Sequence, residues 1–237
     1  MQPFWIALQF LSSLPVRLLA MPSPQAMGRS LLWYPAVGLL FGALLWAANN
    51  ALHSSPPLLH AALLLLVWVL LSGGLHLDGL ADSADAWLGG YGDRERTLQI
   101  MKDPRSGPIA VVTLVVLLLL KFCALVSLIE QDSPGWLLIP MLGRAALLGL
   151  FLGTPYVRPG GLGQALADHL PRRTGLWVVV GCLALGLFLG WKAWVLGLVT
   201  FVWLRHLMLR RLGGTTGDTA GALLELLEAV LLVALAV

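Results

Sequence analysis

Apolar runs about 20 residues long, the length a helix needs to cross a bilayer core, recur along the chain, separated by short polar, glycine- or proline-containing stretches. The pattern predicts seven membrane-spanning helices, over 31–51, 58–76, 108–129, 136–154, 176–190, 193–208 and 220–237. The stretch 176–208 is too long for one comfortable span, and Gly190-Trp191-Lys192 offers a turn within it. Ahead of the first span, Phe4, Leu8 and Leu11 recur at i, i+4 and i+7, with Gln9, Ser12 and Ser13 off that stripe. This predicts a helix lying on the membrane surface, within an interfacial segment 1–30. The expected fold is all-α: a polytopic integral membrane bundle forming a single domain over 1–237.

Composition agrees. Of 237 residues, 58% are hydrophobic and 11% charged, against about 25% charged in an average soluble domain. A disordered chain and a disulfide scaffold are excluded, and lipid is the expected surroundings. The basic residues set an orientation. Arg17 and Arg29 precede the first span, Arg94, Arg96, Lys102 and Arg105 lie in 77–107, Arg158, Arg172 and Arg173 in 155–175, and Arg205, Arg210 and Arg211 in 205–219. Loops 52–57 and 130–135 carry none, and the turn near 191 has Lys192 alone. Basic loops stay in the cytoplasm, so the N-terminus is expected there and the C-terminus opposite. No basic run exceeds two residues, so no nucleic-acid partner is expected.

The twelve acids are unevenly placed: six lie between Asp78 and Asp103, and Asp218, Glu225 and Glu228 lie near the C-terminus. On a helix, Asp78, Asp82 and Asp85 fall within an arc of about 60°. Carboxylates gathered beside apolar spans are costly unless a cation joins them. Hard oxygen ligands suit Mg²⁺ or Mn²⁺, with phosphate oxygens completing the shell. Lys102 and Arg105 in the loop that follows suit phosphate oxygens or anchor the loop at the cytoplasmic face, and Asp103 between them is a candidate substrate contact. His76 is either a structural histidine or a substrate contact. Segment 77–107 is thus the expected cytoplasmic active-site loop.

Gly213-Gly214-Thr215-Thr216-Gly217 precedes Asp218, and such a backbone can form an anion nest. Gly213, Gly214, Thr215 and Gly217 are therefore candidate substrate contacts. Asp218 and Glu225 share one helix face and are candidate metal ligands. Arg144, alone in mid-span, needs an anion: either Glu225 or Glu228, or a substrate phosphate.

The stretch Gly-Gly-Leu-His-Leu-Asp-Gly-Leu-Ala-Asp-Ser-Ala-Asp-Ala at 73–86 resembles the signature of the cobalamin synthase (adenosylcobinamide-GDP ribazoletransferase) family. So do Met101-Lys102-Asp103 with Arg105 and Gly107, the late Gly213 to Asp218 run with Gly221-Ala222 and Glu225, and Ala7 to Leu11, Leu14-Pro15-Val16, Tyr34-Pro35 and Val37-Gly38. Pro104, Ser106 and Pro108 depart from the usual basic motif, which bears on the loop's conformation but leaves its charges in place.

The resemblance implies an inner-membrane enzyme of cobalamin biosynthesis, using Mg²⁺. It would join adenosylcobinamide-GDP to α-ribazole or its 5′-phosphate and release GMP. A homo-oligomer, or a complex with other late enzymes of the pathway, is compatible with it. Asp78, Asp82 and Asp85 would hold metal on the pyrophosphate, Lys102 and Arg105 would neutralise phosphate charge, and Asp82 or Asp85 would take the ribazole hydroxyl proton. Two rivals are a CDP-alcohol phosphotransferase and a cation- or proton-coupled transporter. The first expects Ala-Arg after Asp78-Gly79, where Leu80-Ala81-Asp82 stands. The second expects acids near the midplane, whereas most here lie to one side.

Overall fold

The computed structural model describes residues 2–18 and 20–237. In chain order the described residues form α1 (Gln2–Leu11), α2 (Pro24–Ser30), α3 (Tyr34–Ala51), α4 (Pro57–Ser72), α5 (Leu75–Gly89) and α6 (Arg94–Ile100). They continue as α7 (Pro108–Glu130), α8 (Ile139–Gly153), α9 (Leu162–Asp168), α10 (Arg172–Gly186), α11 (Trp191–Leu212) and α12 (Gly217–Ala236). Among them, six helical segments are long and apolar enough to cross a membrane, or seven if the bent pair α4–α5 is one span. The chain is a polytopic helical membrane protein. Its outer surface is studded with exposed Leu, Val and Trp side chains, as expected for lipid contact.

The first crossing segment begins earlier than the apolar pattern indicates, at Pro24, because α2 runs through a 3₁₀ turn into α3. Segment 176–208 divides at Gly190, whose φ of +90° ends one helix and begins the next. The expected span 58–76 does not run through. Gly73 and Gly74 adopt φ of +61° and +71°, a left-handed pair that glycine enters without steric cost, and the chain turns by 88°. The two helices reach the length of a span only as a pair, and α5 packs along α12 and α7. The stripe on α1 is corrected as well: Leu8 and Leu11 are buried in the main core cluster with Leu31, Tyr34 and Phe41, so it packs on protein rather than on lipid.

Two close approaches organise the interior. Gly38 and Gly42 of α3 lie one turn apart, and a Cβ on either would sit within 2.4 Å of a backbone oxygen, of Pro140 or of Leu137 respectively. Small residues at this spacing let membrane helices pack backbone to backbone. α12 is the central helix, packed against α5, α7, α8 and α11.

Candidate active site

α5 and α12 cross at two glycines. A Cβ on Gly79 would lie 2.8 Å from the Asp218 backbone oxygen, and one on Gly221 would lie 3.2 Å from the His76 backbone. This crossing brings the two acidic segments together. Asp82 is pushed up to about 6, first by burial and then by the charges of Asp78 and Asp218. Asp218 is held on its other side by Arg158, whose Nη1 donates to Oδ2 at 2.8 Å. Asp78, Asp218 and Arg158 line a cavity of about 420 Å³ whose inner wall includes Phe10, Tyr34 and Phe151.

Nothing in the spacing or composition around Arg158 marks it for the site. It reaches Asp218 because loop 154–161 is clamped to the segment after α11: Val157 N donates to Thr215 O at 2.9 Å, and Thr215 N to Pro155 O at 2.8 Å. This clamp corrects two predicted substrate contacts, Gly214 and Thr215. Gly213 is the left-handed C-cap of α11, with φ +73°. Gly214 lies against Pro155, whose carbonyl oxygen a Cβ would approach to 2.3 Å. Thr215 is fully buried. Gly214 and Thr215 shape the backbone, while Gly213 stays exposed and Gly217 keeps a place on the cavity wall. Thr216 and Thr219 form a reciprocal capping box that starts α12 and so fixes Asp218 in its first turn.

Asp85 shares the acidic face of α5 but not its expected role. Its carboxylate accepts from Gly107 N and, at 3.0 Å, from Ala110 N, capping α7 from a distant helix. A carboxylate at a helix N-terminus satisfies orphan N–H groups and the helix dipole. Asp85 therefore anchors the 101–107 loop rather than binding metal or moving a proton. In that loop Lys102 is exposed. Arg105 donates to Asp103 through both Nε and Nη2, at 2.9 and 2.7 Å, and holds that carboxyl down at about 2. Met101, buried against Thr216, ties the start of the loop to the head of α12.

Glu225 and Arg144 do not reach the mouth. Glu225 shares a face with Asp218 but lies two turns further along, roughly 10 Å at 1.5 Å per residue. There Lys121 Nζ donates to Glu225 at 2.5 Å and to Glu228 at 3.0 Å. Arg144 Nη1 donates to Glu228, and its guanidinium lies 4.6 Å from the centre of the Phe41 ring. Two cations and two carboxylates, all buried, neutralise one another. The predicted metal role of Glu225 and substrate role of Arg144 give way to a structural ion network. The one signal for Lys121 in the sequence is that it is the lone lysine within the 23 residues of α7.

His76 is buried on the cavity wall, and its Nδ1 has no hydrogen-bond partner. The donor set at the mouth fits a hard divalent cation. Asp78, Asp82 and Asp218 offer carboxylate oxygens, and the charges of Asp78 and Asp218 both act on Asp82. No group of three acidic, histidine or cysteine side chains among the described residues is placed to hold a metal ion by itself. Mg²⁺ takes one or two carboxylates and fills its shell with substrate phosphates and water, so an ion here would need the substrate's oxygens as well.

The sequence model of the cobalamin-5-phosphate synthase family matches residues 3–236. A Pseudomonas putida F1 protein named adenosylcobinamide-GDP ribazoletransferase is 71% identical over 237 residues, covering all of this chain and 99% of that protein. Proteins of the same name from Pseudomonas entomophila L48 and Pseudomonas fluorescens Pf0-1 are each 70% identical, again over all of this chain and 99% of their own length. No solved structure matches the chain.

Proposed function

The chain belongs to the cobalamin-5-phosphate synthase family, and from that premise we propose that it transfers the adenosylcobinamide-phosphate group of adenosylcobinamide-GDP to α-ribazole or its 5′-phosphate. GMP is released, and the step assembles the nucleotide loop of cobalamin. The observation that carries this reading into the fold is the α5–α12 crossing, which brings Asp78 and Asp218 with Arg158 to one cavity, with Asp82 within reach of their charges.

The ribazole 3′-hydroxyl oxygen bonds to the phosphorus that carries cobinamide, and the bond from that phosphorus to the GMP oxygen breaks. A carboxylate of the mouth cluster takes the hydroxyl proton. Asp78, Asp82 and Asp218 would hold Mg²⁺, with Mn²⁺ suited to the same donors. Such an ion supplies neutralisation of charge on the entering and leaving oxygens. Arg158 exchanges Asp218 for phosphate oxygens or shares between them, since a guanidinium presents several donors. Lys102 and Arg105 sit on a loop tethered to both α5 and α12, where they can close over the departing nucleotide. The excess of basic residues in the loops on this side supports an active site facing the cytoplasm from the inner membrane. A transporter reading is disfavoured because the deep acids Glu225 and Glu228 are already neutralised.

The test is GMP release by the purified protein in lipid nanodiscs, given adenosylcobinamide-GDP with and without α-ribazole, and with and without Mg²⁺. The reading requires release that depends on both. Release without ribazole, or none under any condition, would overturn it.

A further inference from the structure

The mouth cavity is chemically graded. Its rim carries Asp78, Arg158 and Asp218, while its inner wall is built from Phe10, Tyr34, Leu147, Phe151, Tyr156 and Leu166. The aromatic rings are already paired in near-parallel fashion: Phe151 with Tyr156 at 6.1 Å, and Phe10 with Tyr34 at 6.3 Å. Two polar atoms on this wall are buried without any partner, Tyr34 Oη and His76 Nδ1. Burying a hydroxyl with no hydrogen bond costs stability, so this wall is incomplete until a ligand supplies what the two atoms lack.

We infer that the inner end of the cavity seats the ribazole base, and that Tyr34 is the residue that reads it. The inference rests on the ribazoletransferase reading and adds which substrate, and which part of it, enters the cavity. Three pieces compete for the space. The corrin macrocycle is too large for about 420 Å³. Guanine presents an amino group, a ring N–H, a carbonyl oxygen and a free ring nitrogen along its edges, and a wall with two orphan atoms would leave most of them unpaired. A benzimidazole base is hydrocarbon apart from one ring nitrogen that the ribose leaves free, and that nitrogen is an acceptor. The Tyr34 hydroxyl, closed off while the cavity is empty, donates to it once the base enters, and the flat rings of the wall pack against its faces. His76, on the helix that also carries Asp78, lines the same cavity. The ribose hydroxyl then arrives beside the acidic cluster, where it has to react.

The conservative variant Tyr34→Phe keeps the ring and deletes only the unpaired hydroxyl, so the empty protein should melt no lower than wild type. KM for α-ribazole should rise about fivefold to tenfold, the worth of one hydrogen bond, with KM for adenosylcobinamide-GDP unchanged. A riboside of the matching indole, with carbon in place of the free nitrogen, sharpens the test. Wild type should disfavour it by a similar factor, and Tyr34→Phe should treat the two ribosides alike. A rise in KM for adenosylcobinamide-GDP instead, or equal discrimination by both proteins, would overturn the inference. Calorimetric binding of α-ribazole alone separates this from failure of the transferase reading. Absent GMP release with ribazole binding that weakens in Tyr34→Phe removes the reaction but keeps the pocket. Absent ribazole binding by wild type removes the pocket.

Discussion

Replacing Glu228 by glutamine withdraws one of the two negative charges from the buried network. Lys121 keeps Glu225 at 2.5 Å, but Arg144 loses its hydrogen-bonded anion and keeps only neutral acceptors, the Pro140 carbonyl at 3.3 Å and the new amide oxygen, with the face of Phe41. Arg144 is wholly buried, so water cannot take the place of the lost carboxylate. Removing one partner of a buried ion pair typically costs about 3–5 kcal/mol, a shift of roughly 10²- to 10³-fold or more in the folded-to-unfolded ratio. Removing both members is far cheaper, because no charge is left stranded. Glu228→Gln with Arg144→Met should therefore recover more than half of the loss. Unfolding in mixed micelles titrated with SDS, followed by tryptophan fluorescence, measures all three proteins. Activity supplies the second readout: per folded molecule, GMP release by the double variant should stay within about threefold of wild type, since the network does not touch the cavity. A Glu228→Gln protein as stable as wild type would refute the reasoning. So would an Arg144→Met protein that folds normally but shows a large rise in KM, which would return Arg144 to the substrate.

Asp85→Ala should free the Gly107 and Ala110 N–H groups, lowering stability by about 1–2 kcal/mol, the usual worth of an N-cap. Trypsin should then cut at Lys102 or Arg105 faster than in wild type. Gly79→Ala places a methyl group 2.8 Å from the Asp218 carbonyl oxygen and must push α5 from α12. We expect GMP release to fall by about tenfold or more, with the helical circular dichroism signal retained. The Asp103 carboxyl, held at about 2 by Arg105, stays ionised down to about pH 3. Its pair with Arg105 is present above that range and lost as pH falls through the folded-state pKa. Any acid limb between pH 4 and 7 in the rate profile therefore belongs to other groups and should persist in Asp103→Asn.

Much of this architecture was legible in the order of residues. Long apolar runs announced the crossing helices, Gly190 announced the break in 176–208, and the two acidic segments announced the mouth. The failures share one physical cause, which is that hydropathy and periodicity are local while pairing is not. Gly73 and Gly74 sit in an apolar run, and nothing in their hydropathy records a left-handed pair that turns the chain by 88°. Asp85 lies on the same helical face as Asp78 and Asp82, yet the N–H groups it caps belong to a helix beginning more than 20 residues later. Glu225 shares a face with Asp218 but sits at the depth of Lys121, and helical spacing reads the face without the neighbour. Arg158 looked like one more basic loop residue until the strand-like clamp between Tyr156 and Thr215 brought it to Asp218. Tyr34 read as the start of a span, and only burial without a partner marks its hydroxyl.

The central claim is that α5 and α12 build one composite acidic site for a divalent cation at the cavity mouth. Electron paramagnetic resonance of Mn²⁺, titrated into the full-length protein with adenosylcobinamide-GDP bound, tests it most directly. The account predicts binding that Asp78→Asn and Asp218→Asn each weaken by at least about tenfold, one substitution on each helix, while Glu225→Gln leaves it unchanged. Mn²⁺ binding indifferent to Asp78→Asn and Asp218→Asn, or abolished by Glu225→Gln, would contradict it.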